Sequence, residues 1–308
     1  MSGWVIFVAL VAVIGCTAAV ENRAWSNCGN RNIANNGQDE LNAVARIVGG
    51  QEAKRNSWGH QCSLMIFSNH HCGGSLVRNS AGRWFFVTAA HCTSGIHSAF
   101  FTARCGSHTT SGGTVIEFST KTEHEKYNDQ NLDYDIAVFQ VSTSLEQTDK
   151  IWPICLPSRN ANEGEKGIVT GWGAIYQDGP TSTALLQAVV PVKSNTLCSE
   201  RYSNYDITNR MLCAGYTDGK KDACQADSGG GLNFLRNNKW ELGAQQKSCG
   251  DGRVAKQQVW IHWELQSQTC TQAAQGDGSL STELKQQWSS AAPWVSEQPF
   301  LGFALLTS

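Results

Sequence analysis

Short apolar runs separated by turn residues dominate the chain between residues 46 and about 243. The runs lie at residues 63–67, 84–88, 136–141 and 167–171, and Gly, Asn and Ser are frequent between them. No long stretch repeats its apolar positions every 3.6 residues, as an amphipathic helix does. Closely spaced short strands with turn signals between them are typical of β-barrels and β-sandwiches. We therefore predict an all-β fold, with enough chain for two small barrels.

The beginning of the chain has a different pattern. A single apolar run extends from Trp4 to Ile14, and small residues follow it. Because the run is too short to span a bilayer, it predicts a secretory signal peptide over residues 1–19, although no positive charge precedes it. A signal anchor is the alternative interpretation. The polar, Asn-rich residues 20–46 predict a propeptide.

The pattern changes again after residue 243. Gln is frequent from Gln245 onward, and the Trp residues between Trp260 and Trp294 follow no period. A segment with neither strand alternation nor a helical period is typical of low-complexity chain. We therefore predict that residues 244–308 form a divergent tail, which indicates a frameshift, a retained intron, an alternative final exon or a diverged functional segment.

Charge and cysteine content narrow the range of functions. The formal net charge is -2 and charged residues make up 16% of the chain, so no basic surplus favours nucleic acid or an anionic membrane as a partner. Of the 12 cysteines, Cys16 leaves with the predicted signal peptide and eleven remain. In a secreted protein such cysteines form disulfides, and no CxxC pair predicts a zinc site.

Four motifs occur in order along the chain, with Gly171-Trp172-Gly173 between the last two. They are Arg46-Ile47-Val48-Gly49-Gly50, Thr88-Ala89-Ala90-His91-Cys92, Asp133-Tyr134-Asp135-Ile136-Ala137 and Asp222-Ala223-Cys224-Gln225-Ala226-Asp227-Ser228-Gly229-Gly230. In this order and spacing the chain resembles the trypsin/chymotrypsin (S1) family of serine peptidases. The resemblance implies a secreted serine endopeptidase with a peptidase domain over residues 47–243. It also implies two six-stranded antiparallel Greek-key barrels that divide near residue 160.

The resemblance implies a catalytic triad of His91, Asp135 and Ser228. A serine hydroxyl is a weak nucleophile at neutral pH and needs a base within hydrogen-bond reach. An imidazole such as that of His91 can take and return a proton near pH 7. A carboxylate in the position of Asp135 fixes the imidazole tautomer and stabilises the imidazolium. Taken singly, each of the three also fits an ordinary turn or loop position.

Activation and specificity are also implied by the resemblance. Cleavage after Arg46 would free the α-amino group of Ile47, which would pair with Asp227 and order the site. Asp222, six residues before Ser228, would lie at the base of the specificity pocket and select Arg or Lys by charge. Asp227 as a loop cap and Asp222 as a solvated loop residue are the alternatives.

Two departures from the family weaken the expectation of an active enzyme. The family has Gly where this chain has Ala226, at the position whose N–H forms the oxyanion hole with that of Ser228. Losing one such donor costs about 10²–10³ in rate. The family's C-terminal strands are not recognisable after Gly243, so we expect the second barrel to be incomplete. The partners of Cys224, Cys249 and Cys270 stay open.

Four disulfides are implied by the resemblance. Their expected pairs are Cys72 with Cys92, Cys198 with Cys213, Cys155 with Cys28, and the unusual pair Cys62 with Cys105. The family's calcium loop matches residues 106–114, which hold Ser and Thr where acidic ligands are needed. We therefore expect no metal and no cofactor.

Three hypotheses for the function remain. The first is an active zymogen that cuts protein or peptide substrates, with an activating trypsin-like protease and protein inhibitors as partners. The second is a catalytically impaired or inactive protease-like binding protein, favoured by Ala226 and the altered tail. The third is a misfolded product of an aberrant transcript.

Overall fold

The computed structural model describes residues 27–30, 51–173, 181–203, 205–216, 228–246 and 255–258. All of these residues belong to one compact unit. The described strands are β1 Gln51–Glu52, β2 Gln61–Ile66, β3 Asn69–Arg78, β4 Trp84–Thr88, β5 Phe101–Cys105, β6 Thr114–Ile116, β7 Phe118–Glu123, β8 Ala137–Val141, β9 Lys166–Gly171, β10 Leu186–Lys193, β11 Met211–Ala214, β12 Gly231–Arg236, β13 Lys239–Gln246 and β14 Ala255–Gln258. The helices among the described residues are α1 Asn195–Arg201 and two 3₁₀ turns, Ala90–Cys92 and Ser98–Phe100.

The first sheet has the strand order β6-β5-β2-β3-β4-β8-β7, and its pairings are antiparallel. Its two edge strands, β6 and β7, are separated only by Glu117. They are therefore two halves of one bent strand, and the sheet curls into a six-stranded barrel. The alternation along β5 shows how the core is filled, because Phe101, Ala103 and Cys105 are buried while Thr102 and Arg104 are half-buried.

The second sheet has the order β1-β10-β11-β14-β13-β12-β9, and β10 also pairs with β9. These pairings close a ring of six strands, with β1 attached outside it. We expected this barrel to be incomplete at its C-terminal strands, but β14 pairs with both β11 and β13 and fills the gap. The reason is that a strand ladder is made by backbone groups, so a segment without apolar alternation can complete it. The predicted all-β, two-barrel class is confirmed.

Side chains from both barrels share one apolar cluster. Val77 and Phe85 of the first barrel belong to the same cluster as Val189 and Trp240 of the second. Trp58 contacts the Trp240 ring edge-on at 4.7 Å between centroids. Burial of this shared apolar cluster fixes the two barrels against each other. Residues that the two barrels contribute to a common site are therefore held at defined distances.

Four disulfides join the described residues. They are Cys28–Cys155, Cys62–Cys105, Cys72–Cys92 and Cys198–Cys213. The expected pairs are therefore the bonded pairs. None of the helices in the described part of the chain has the length and apolarity that crossing a bilayer requires.

Candidate active site

Strand register brings His91 and Asp135 together. Thr88, the last residue of β4, lies opposite Ala137, the first residue of β8. His91 follows Thr88 by three residues and Asp135 precedes Ala137 by two, so both leave their strands at the same end of the barrel. The 3₁₀ turn that carries His91 is tied to β3 by the Cys72–Cys92 disulfide.

Asp135 accepts two hydrogen bonds from His91. Its Oδ1 accepts the backbone N–H at 2.7 Å, and its Oδ2 lies 2.6 Å from the imidazole Nδ1. Because an ionised carboxylate can only accept, Nδ1 must be the donor, and in a neutral imidazole the lone pair is then on Nε2. The Asp135 side chain is 4% exposed and that of His91 is 23% exposed. The imidazole of His91 is partly exposed, and the carboxylate that accepts its hydrogen bonds is buried.

Ser228 comes from the second barrel, just before β12, and is buried. Its carbonyl accepts the Gly73 N–H at 2.8 Å. The next residue, Gly229, has φ +79° and no room for a side chain, since a Cβ would lie 2.6 Å from the Gly73 oxygen and against Thr88. The same Cβ would lie 3.3 Å from the Ala89 nitrogen, so Ser228 adjoins the segment that leads into His91.

Most of the residues expected to act in activation and substrate binding lie outside the described residues. These are Arg46, Ile47, Asp222, Ala226 and Asp227, and the same holds for the cysteines Cys224, Cys249 and Cys270. Of the predicted catalytic groups, His91 and Asp135 are joined by hydrogen bonds, and Ser228 lies against Gly73 beside the segment that leads into His91.

The loop before Asp135 holds groups that the sequence did not single out. Asp133 is bound by Arg210, 77 residues later, through Nε at 2.9 Å, and Thr208 also donates to it at 3.0 Å. Burial raises the pKa of Asp133, but the hydrogen bonds from Arg210 and Thr208 outweigh it and lower the pKa below its ordinary value. Burial, and then the charge of Asp135, raises the pKa of Tyr127.

These neighbours could not be found from local patterns. Arg210 is distant in sequence, and an Arg before a short strand carries no signal of its own. The one local signal that this loop offers is a further acidic residue, Asp133, two positions before Asp135.

The described residues contain one compact group of candidate metal ligands, Cys72, His91 and Cys92. Both sulfurs are oxidised in the disulfide, and the thiolate is the form of cysteine that binds metals. In the segment that matches the family's calcium loop, the His108 Nε2 lies 2.7 Å from a Glu52 carboxylate oxygen.

Comparison with known proteins places the chain in a family. The trypsin family model matches residues 47–257, and the chain belongs to the trypsin family of serine peptidases. The match continues past Gly243 into β14, in agreement with the closed barrel. The human protein "Transmembrane protease serine 5" is 35% identical over 273 residues, which cover 80% of this chain and 56% of that relative. The chain thus spans little more than half of the relative's length.

Proposed function

We propose that the protein is a serine endopeptidase that hydrolyses peptide bonds after Arg or Lys. The observation that carries the proposal is the pair of hydrogen bonds from His91 to Asp135, with Ser228 on the adjoining segment. These contacts support a role for His91 as the base and Asp135 as its orienting group, and Ser228 would be the nucleophile of the acyl transfer.

The chemistry depends on the protonation state of His91. With Nδ1–H donated to Asp135, the Nε2 lone pair takes the proton of Ser228 as its Oγ attacks the substrate carbonyl. Asp135 stabilises the imidazolium, which then protonates the leaving amine. In the second step, Nε2 takes a proton from water as the water oxygen attacks the acyl carbon. The imidazolium then returns the proton to the Ser228 Oγ as the acyl group leaves as a carboxylic acid. The N–H groups of Ser228 and Ala226 would stabilise the oxyanion in both steps.

Regulation and specificity are part of the proposal. Cleavage after Arg46 would create the Ile47 amino group, and its pairing with Asp227 would order the specificity pocket that contains Asp222. An activating trypsin-like protease and protein inhibitors would be its macromolecular partners besides substrates. We propose secretion after removal of residues 1–19, and the human relative, a transmembrane protease by name, makes retention on a membrane the alternative outcome.

The test is to express the full chain in secreting cells, treat it with trace trypsin and add a fluorophosphonate probe. Intact-mass and peptide analysis should find a chain that begins at Ile47 and carries the probe on Ser228. Peptides with Arg or Lys before the scissile bond should be cut at least tenfold faster than a Phe peptide. The Ser228→Ala variant is the matched control and should neither label nor cleave.

Other results would overturn the proposal. Protein that is secreted and cleaved at Arg46 but never labelled would favour an inactive binding protein. Protein that never reaches the medium or the cell surface would favour a misfolded product.

A further inference from the structure

The loop that carries Asp135 is held in a conformation that its own residues disfavour. Leu132 and Tyr134, on either side of Asp133, have φ of 58° and 54°. A left-handed conformation costs a residue with a side chain roughly 1–2 kcal/mol, so contacts from elsewhere must hold it. A further constraint comes at Asp135 itself, because the Ile136 N–H donates to the Tyr134 carbonyl across it at 2.8 Å.

The contacts that hold this loop converge on Asp133 and Tyr134. The Arg210 Nε donates to both Asp133 oxygens, at 2.9 and 3.1 Å, and Nη2 donates to Oδ2. The same guanidinium lies over the Tyr134 ring at 4.5 Å. The Tyr134 ring also stacks on His124, again at 4.5 Å. One cation thus fixes the carboxylate and the ring of two consecutive residues.

Arg210 is itself anchored in the second barrel. It directly precedes β11, and the Met211 N–H donates to the Thr208 carbonyl at 3.1 Å. Asn195, at the start of α1, donates to the carbonyls of Thr208 and Met211 at 3.1 and 2.8 Å. The Arg210–Asp133 pair is therefore a bridge from the second barrel to the loop of Asp135. The side chains of Asp133 and Arg210 are only 10% and 25% exposed, so solvent screens their attraction less than on an open surface.

We propose that Arg210 is a positioning residue for the peptidase reaction. By holding Asp133 and Tyr134, it keeps Asp135 where both of its oxygens accept hydrogen bonds from His91. The inference rests on the proposed function, because it assigns Arg210 a role in orienting the base. A carboxylate displaced by about 1 Å would let the imidazole rotate, and misplacement of that size costs about 10²-fold in rate.

The test compares Arg210→Met, Arg210→Lys and the wild type after activation, with rates expressed per probe-titrated site. Arg210→Met keeps an unbranched side chain against Tyr134 but removes the charge and the donors. We expect its kcat to fall about 10- to 100-fold while KM changes less than twofold. Arg210→Lys keeps the charge without the planar fork and should recover part of the loss. Exposed Arg201, at the end of α1, provides the control variant Arg201→Met, which should match the wild type.

A second readout separates positioning from stability and does not need turnover. In one-dimensional proton NMR, the His91 Nδ1 proton shared with Asp135 should give a resolved downfield signal in the wild type. The signal should broaden or vanish in Arg210→Met while the remaining spectrum stays folded. If that variant keeps both the signal and the wild-type kcat, Arg210 does not position the base. A wild type that is inactive but shows the Arg210-dependent signal would contradict the proposed function and leave the positioning role supported.

Discussion

At the scale of single residues, Glu165 shows how a partly buried carboxylate ties stability to pH. It accepts hydrogen bonds from Arg236 at 2.8 and 3.2 Å and from Arg159 at 2.9 and 3.1 Å. Burial alone would raise the pKa of Glu165. The hydrogen bonds from Arg236, the Asn162 N–H and Arg159 outweigh burial and lower its pKa from 4.5 to about 2. The folded state therefore favours the ionised form.

Replacing Glu165 with Gln should remove this pH-dependent stabilisation. Because the folded pKa lies below the unfolded one, the stabilisation is present above about pH 4.5 and is lost as the pH falls toward 2. At about 1.4 kcal/mol per pKa unit, the loss at pH 7 should be about 3 kcal/mol. Urea unfolding of Glu165→Gln between pH 2.5 and 7, in a Ser228→Ala background that cannot digest itself, measures it. Exposed Glu163→Gln is the control, and equal losses in both variants would contradict the argument.

At the scale of elements, the apolar runs predicted those strands whose side chains are buried in the core. The runs at residues 84–88 and 136–141 became β4 and β8, because every residue of β4 and the first three of β8 are buried. Strand β14 could not be predicted in the same way. Its sequence, Ala-Lys-Gln-Gln, has no apolar alternation, and only the backbone ladder to β11 and β13 defines it.

The Cys62–Cys105 disulfide gives an element-scale prediction, since the two residues are direct partners across β2 and β5. The Cys62–Cys105 bond joins residues 43 positions apart, whereas the Cys198–Cys213 bond joins residues only 15 positions apart. In the loop-entropy account, these lengths correspond to about 4 and about 3 kcal/mol. Urea unfolding of Cys62→Ala/Cys105→Ala should therefore show the larger loss, compared with Cys198→Ala/Cys213→Ala as the matched double variant. A loss below about 1 kcal/mol would mean that strand pairing alone holds β2 and β5 together.

At the scale of the whole molecule, the candidate site depends on both barrels. The motifs, and the family resemblance that they carry, predict His91, Asp135 and Ser228 as the catalytic residues. Their arrangement needed the register of β4 with β8 and the docking of Gly229 on Gly73, which no local pattern encodes. The sequence could therefore predict the contact of His91 with Asp135 but not what holds it, as the Arg210–Asp133 bridge between the barrels shows.

The segment around Cys28 is fixed to the rest of the molecule by more than its disulfide. The Gly29 N–H donates to the Pro153 carbonyl at 2.8 Å, and the Gly29 carbonyl accepts the Trp240 N–H at 3.1 Å. Gly29 has φ +65°, and a Cβ there would lie 2.8 Å from the Trp240 nitrogen and 2.9 Å from the Cys155 sulfur. Only a glycine fits so close to these atoms. The two backbone hydrogen bonds of Gly29, together with the disulfide, hold the segment against Pro153 and β13.

This seating predicts that cleavage after Arg46 will not release the N-terminal segment. After trace trypsin treatment, the intact mass without reductant should include both pieces, and reduction should separate a short peptide from the chain that begins at Ile47. In Cys28→Ser/Cys155→Ser the peptide should dissociate without reductant, because two backbone hydrogen bonds at about 1 kcal/mol each cannot retain it at micromolar concentration. Release from the wild type without reductant would show that the Cys28–Cys155 bond does not form in the secreted protein. Retention in the double variant would instead show that the contacts of Gly29 suffice.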